Sequence, residues 1–256
     1  MARRNCGLIA GIVSVVAFAH VGPVSAAEIK LLTAGAMRAV VMELLPDFET
    51  RSGHKITLDN ATAGTLAKRI EAGEAFDVAI ITPKVIADLE QKGKIVAGSR
   101  RDLAKGGIGV AVKAGAPLPE IKTVDAFKRT LLSATSVAYI DPKSGGSSGI
   151  YFDGLLERLG IADAIRAKAK LKAGGYVAEL VASGEAELAV HQISEIVPVK
   201  GAVLVGPLPA EIQNTTIYSA GLGAKARDAA AAAALIAYLA GPEATAVLQA
   251  KGMEKP

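Results

Sequence analysis

The stretch Ser136–Ile161 reads SVAYIDPKSGGSSGIYFDGLLERLGI. A β-rich run, Ser136–Ile140, gives way to a turn of proline, glycine and hydroxyl residues, and then to an apolar pattern of helical period starting near Ser147. Strand, glycine-rich turn and helix in that order are the unit of an α/β fold.

The turn itself allows three readings. A phosphate loop needs a lysine at the helix start to reach phosphoryl oxygens; here Lys143 precedes the glycines, so that reading is dropped. The spacing Gly145-x-Ser147-x-Gly149 also matches a hydrolase nucleophile elbow, with Ser147 as nucleophile, His191 as base and Glu179, Glu185 or Glu187 as the orienting acid. An elbow places its serine directly between strand and helix, whereas six residues (Asp141–Gly146) intervene here. A secreted serine hydrolase is therefore kept only as a minor alternative. The third reading is a bare helix start: amides without intrahelical partners, a partial positive charge, glycines for close approach and the hydroxyls of Ser147 and Ser148. On this stretch alone, a Ser147 that merely caps its own helix fits equally well.

Working outward, the device recurs. Thr33–Arg38 (TAGAMR) follows the strand-like Ile29–Thr33, and Ala61–Arg69 (ATAGTLAKR) follows the strand-like Lys55–Asp59. Each sets small and hydroxyl residues at the carboxyl end of a strand, where open α/β sheets take their ligands. Three such starts can meet around one small anion. Arg38, in a first helical turn, can pair a carboxylate bidentately or point to water.

The alternation continues along the chain. A helix from Met37 has Pro46 inside it, where a kink or restart is expected, and Gly53 at its end. Thr65–Gly73 is a helix, Phe76–Thr82 a strand, and Thr82–Pro83 opens a helix ending at Gly93. After the Gly/Pro-rich Gly106–Glu120 a second series begins, with strand-like Ile108–Val112, Glu187–His191 and Ala202–Gly206 and a helix over Tyr176–Ser183. Asn214–Leu222 is β-rich, and two helices close the chain. The expectation is two lobes, each a mixed sheet flanked by helices: 28–109 with 217–256, and 110–216. They would be joined by a two-segment hinge near Gly107–Val112 and Asn214–Ser219.

Residues 1–27 have the layout of a signal peptide: Arg3 and Arg4, the apolar Leu8–Ala19, and small residues before Glu28. The apolar run is short for a membrane span, so export to the periplasm is expected. Cys6, the one cysteine, would leave with that segment, and the formal charge of +4 would fall to about +2 without Arg3 and Arg4. Basic residues are dispersed among acidic ones and aromatics are few, which excludes nucleic acid as an expected partner. Only His54 and His191 then remain as histidines, with no metal-ligand spacing, so no metal and no cofactor are expected.

The whole stretch after the signal resembles the periplasmic substrate-binding proteins of ABC importers, type II fold, and among them the molybdate-binding branch. The resemblance is carried by Gly64–Thr82 (GTLAKRIEAGEAFDVAIIT), Ser148–Ile161 and Val181–Val190 (VASGEAELAV). It implies a monomeric receptor that closes on a small anion and delivers it to a permease in the inner membrane, without catalysis. The family's first-loop serine falls at Ala36, and its second loop is represented by Thr62, Gly64 and Thr65. Its second-lobe tyrosine falls at Gln192, beside His191. Neutral donors have gone while Arg38 and His191 have appeared, so the expected ligand is an organic carboxylate or related anion, with molybdate or tungstate as the alternative. The expected contacts are Gly35, Ala36, Met37, Arg38, Gly64, Thr65, Ser147, Ser148, Gly149, His191 and Gln192.

Overall fold

The structure, a computed structural model, describes residues 26–256; the signal-peptide reading lies outside them. The first part of the chain alternates β1 (Glu28–Ala34), α1 (Gly35–Ser52), β2 (Lys55–Ala61), α2 (Ala63–Glu71), β3 (Val78–Ile81), α3 (Pro83–Gln91) and β4 (Arg101–Gly106). A single residue, Gly107, separates β4 from β5 (Ile108–Lys113), which belongs to a second sheet. There follow α4 (Val124–Ser133), β6 (Val137–Ile140), α5 (Ser147–Arg158), α6 (Ala162–Arg166) and β7 (Ala169–Lys172). Next come α7 (Ala178–Ser183), β8 (Leu188–Gln192), α8 (Ile193–Ile196) and β9 (Ala202–Pro207). The chain then returns through β10 (Thr216–Leu222), α9 (Ala229–Ala240), α10 (Ala244–Ala250) and β11 (Met253–Glu254).

The first sheet has the order β11-β4-β10-β3-β1-β2 and the second β7-β6-β8-β5-β9. Within each, the strands that precede helices pair in parallel: β1 with β2 and β3, and β6 with β7 and β8. The returning strand β10 runs antiparallel to β3 and β4, and β5 runs antiparallel to β8 and β9. Both sheets are therefore mixed, and each defines one lobe.

Both faces of each sheet are covered, which is why β3 and β6 read as unbroken apolar runs. Alternate residues of one strand go to opposite cores. Leu31 packs beneath α1, α9 and α10, while its neighbour Leu32 packs with Leu66 and Ile86 of α2 and α3. In the second lobe Val110 joins Phe127 and Phe152, while Ala111 joins Val177 and Val181. Truncating a fully buried residue such as Leu31 to alanine is expected to cost about 2–5 kcal/mol.

One sequence expectation is corrected here. Pro46 does not restart its helix: α1 is continuous over 18 residues. Pro46 and Met42, whose carbonyl loses its partner, both lie on the solvent side, while Val40, Val41, Leu44 and Phe48 hold the opposite face in the core. Gly53 ends α1 with φ 74°, donating its amide to the Glu49 carbonyl. Among the described residues no single helix is long and apolar enough to cross a membrane; α9 and α10 would reach that length only together, and they meet at 58°.

The two crossings between lobes are tied by one side chain. Gln213, just before β10, accepts the Ile108 amide and donates to the Ile108 carbonyl, both at 2.9 Å.

Candidate functional site: a cleft between the lobes

A small cavity of about 30 Å³ lies between the lobes, reached by the carboxyl ends of β1, β2, β6 and β8. Its walls follow from how three helices begin. The residue before α1, Ala34, has extended φ and ψ but no side-chain oxygen, so the first amides of α1 have no side-chain cap. The same holds for α5, which is preceded by Gly146. Ser147 is thus the first helical residue and does not cap its own helix. Its hydroxyl lies 3.4 Å from Tyr218 Oη and 3.5 Å from Gln192 Nε2. Two uncapped helix starts, one per lobe, meet the cavity and give it partial positive charge from both sides.

The third start is used differently. Thr62 caps α2 by accepting the Thr65 amide at 3.2 Å, and its hydroxyl also contacts the Ser144 carbonyl across the cleft. The Gly64 amide donates to the Gly145 carbonyl at 3.1 Å. A Cβ on Gly64 would lie 2.7 Å from the Gly145 Cα, so the two lobes meet here backbone to backbone. Gly145 has φ 76°, a conformation that glycine adopts without strain.

The second lobe also brings ionisable groups to the cavity. His191, at the end of β8, and Glu195, in α8, both line it, and their side chains are 1% and 9% exposed. His191 Nε2 lies 3.3 Å from Glu195 Oε2. Burial pushes the Glu195 carboxyl up to about 8. Burial, helped by the Lys172 charge, pulls His191 down to about 3. Both shifts favour the uncharged forms, so at neutral pH the pair is a carboxylic acid facing an imidazole. Tyr218 is also raised, by burial first and then by the Glu195 charge. A Cβ at Gly35 would collide with Glu195 Oε1, so the carboxyl abuts the backbone where α1 begins. Among the described residues four buried side-chain polar atoms lack partners, and three of them, His191 Nδ1, Gln192 Oε1 and Ser194 Oγ, cluster at the β8–α8 junction. Buried polar atoms are normally satisfied, so this cluster asks for an explanation.

The sequence-derived residues divide accordingly. Gly35, Ala36, Ser147, Ser148 and His191 line the cavity. Met37 is in the core of the first lobe. Gly64 and Thr65 serve the interlobe contact, and Gly149 packs against the Ile140 carbonyl, where a Cβ would not fit. Gln192 is buried and donates to Thr216 at 3.1 Å. Arg38 sits beside the cavity: its guanidinium lies over the Tyr176 ring at 5.7 Å, with Nη1 3.5 Å from Tyr176 Oη. It forms no ion pair among the described residues, although Tyr176 belongs to the opposite lobe.

No hydrogen bond joins Ser147 to His191 among the described residues. Glu179, Glu185 and Glu187 are bound elsewhere, to Lys172, Ser183 and Thr135. Glu195, Asn60 and Tyr218 were missed from sequence. For Glu195 the available signal was a lone acid in an apolar run (HQISEIV, His191–Val197), four residues after a histidine. Among the described residues no group of three or more His, Cys, Asp or Glu is placed to hold a metal ion.

With this geometry, residues 29–254 match the family described as bacterial extracellular solute-binding protein, and the chain belongs to that family. It is 33% identical to the aconitate isomerase of Pseudomonas sp. over 88% of this chain and 86% of that one. It is 29% identical to the molybdate-binding protein ModA of Azotobacter vinelandii over 89% and 90% of the two chains. The solved structure of the Azotobacter vinelandii periplasmic molybdate-binding protein superposes with a TM-score of 0.76 at 21% identity, covering 89% of this chain and 99% of that one. The two-lobed fold and the resemblance to molybdate-binding proteins read from sequence are thereby shown. The expectation that the protein is not an enzyme is corrected: the aconitate isomerase, related over nearly the full length, is one. Binding an anion between two lobes does not preclude chemistry on it, because closure also buries ionisable groups beside the ligand.

Proposed function

We propose that this protein binds a small organic polycarboxylate of the aconitate type in the interlobe cleft and isomerises it. The observation that carries the reading is the meeting of two uncapped helix starts, α1 and α5, with a buried ionisable pair, Glu195 and His191, at one cavity. Amides of the helix starts bind carboxylate oxygens without bringing a charge that must itself be desolvated. Arg38 supplies a guanidinium at the cleft edge, suited to a second carboxylate. Ser147, Ser148 and Asn60 complete the polar lining. Closure through the Gly64–Gly145 contact then excludes water from the ligand. The relation to an aconitate isomerase supports the same substrate class. Proton NMR of cis-aconitate incubated with the protein tests the reading: conversion to the trans isomer is expected, and the absence of conversion would overturn it.

A second reading, supported by the relation to molybdate-binding proteins, retains the cleft and adds delivery. The exported monomer would present its closed form to an ABC permease from the periplasm. The hydroxyls of Thr62, Ser147 and Ser148 are neutral donors of the kind an inorganic oxyanion needs. Calorimetry separates the ligands: tight binding of molybdate or tungstate with none of aconitate favours the oxyanion.

A further inference from the structure

We infer that Glu195 is the group that moves the proton in this isomerisation, with His191 as its positioning partner. The inference rests on the isomerase reading above and names a residue for it.

Glu195 has no structural reason to be a carboxyl. It is almost fully buried, and among the described residues no lysine or arginine pairs with it. Burying an unpaired carboxyl is costly, and an apolar residue of similar size would pack in its place at lower cost. Yet space is kept for it, since the missing Cβ of Gly35 leaves room for Oε1 against the start of α1. Nor is it suited to gripping the ligand, because a carboxylate beside a polyanion repels it. An acid that lines an anion's cavity, uncharged at rest, is suited to handling a proton.

The groups facing Glu195 are few. His191 comes from β8 and Tyr218 from β10, and the helix start of α1 carries Arg38 in its first turn. Lys172 acts on His191 through its charge. His191 meets Glu195 with Nε2, while its Nδ1 is buried without a partner. Nε2 is therefore the atom through which the imidazole holds the Glu195 carboxyl in place.

The step balances within the site. Below its raised pKa of about 8 Glu195 is mostly protonated, and the fraction ionised near neutral pH is the base, while His191 stays a neutral imidazole. The carboxylate takes a proton from the substrate methylene; that C–H electron pair becomes the new C=C bond. The former π pair binds a proton returned by Glu195 at the far carbon of the three-carbon unit. One proton leaves the substrate and one is restored, with no oxidant, reductant or co-reactant.

The test follows cis-aconitate conversion by NMR in deuterium oxide with the full chain, and aconitate affinity by calorimetry. Glu195→Gln is expected to lose at least about a hundredfold in turnover while its dissociation constant stays within about threefold, and Glu195→Asp to lose about tenfold or more. Retained turnover in Glu195→Gln, or a loss of affinity that accounts for the whole effect, overturns the inference and leaves the isomerase reading standing. If Glu195→Gln does not fold, unchanged turnover in Glu195→Asp overturns it instead. A wild-type protein that binds aconitate without converting it overturns the isomerase reading, and this inference with it.

Discussion

The wall that the first lobe gives the cavity is made of Ala34, Gly35, Ala36, Asn60, Ala61, Thr62, Ala63 and Tyr218, whose phenol burial pushes up, so none of its groups loses or gains a proton near neutral pH. The wall from the second lobe carries His191 and Glu195 beside Ser147 and Ser148. Both lobes use the same device, an uncapped helix start, to attract negative charge. Only one adds groups that exchange protons. Under the proposed isomerisation, holding the anion and transforming it are separable within one cleft: one short segment, His191–Ile196, supplies the proton-exchanging groups while the opposite wall serves as a cradle.

That separation can be broken in stages. The largest effect is expected at the contact both walls share. Gly64→Val should weaken aconitate binding by roughly a hundredfold or more, since even a Cβ meets the Gly145 backbone; unchanged affinity in calorimetry would mean that closure does not require this approach. Arg38→Ala should weaken binding by about tenfold or more, by the loss of a charge-assisted hydrogen bond of about 1.5–3 kcal/mol, and should spare turnover at saturation. An equal fall in both would place Arg38 in the chemistry. Ser147→Ala removes a neutral hydroxyl and should cost about fivefold in affinity, roughly 1 kcal/mol; abolished aconitate turnover with intact binding would instead place Ser147 in the chemistry.

The smallest effect is on stability and concerns the second wall alone. Glu195 is raised by burial from the ordinary carboxyl range to about 8, so the native state holds a proton that the unfolded chain has released. Stability from this group is full at and below the ordinary carboxyl pKa and is lost as pH rises to about 8. His191 works in the opposite sense between about 3 and 6.5, where the unfolded chain binds the extra proton. Between pH 6.5 and 8 the Glu195 effect acts without it. The melting temperature should fall across that interval, and Glu195→Gln should flatten the fall. A variant with the same slope as wild type would mean that Glu195 is not the group responsible.

The fold was legible where strands are buried on both faces. Val78–Ile81 and Val137–Ile140 announce themselves as apolar runs followed by helix starts. The strands over Arg101–Gly106 and Ala169–Lys172 were missed for the converse reason. The latter, only four residues long, lies at the edge of its sheet with a lysine at every second position, and the former carries arginine, aspartate and lysine, so neither offers an apolar run. In the cleft, backbone devices were readable from glycine and hydroxyl clusters, which have a local cause. Glu195 was not, because its role depends on what the fold brings against it: the start of α1 about 160 residues earlier in sequence, and Tyr218 from the returning strand. Arg38 was singled out from its helical position, but its stacking on Tyr176 is a contact between lobes that no local pattern encodes.

Gln213 gives the linkage between the lobes a particular mechanical character. By occupying both the amide and the carbonyl of Ile108, its carboxamide does for the entry to β5 what a neighbouring strand would do, and stiffens it. Bending is then expected at Gly107, the single residue between β4 and β5, which carries no side chain to resist it. The lobes should swing as rigid plates about a short axle instead of flexing along their length, so a residue distant from the cleft governs how often the chamber opens.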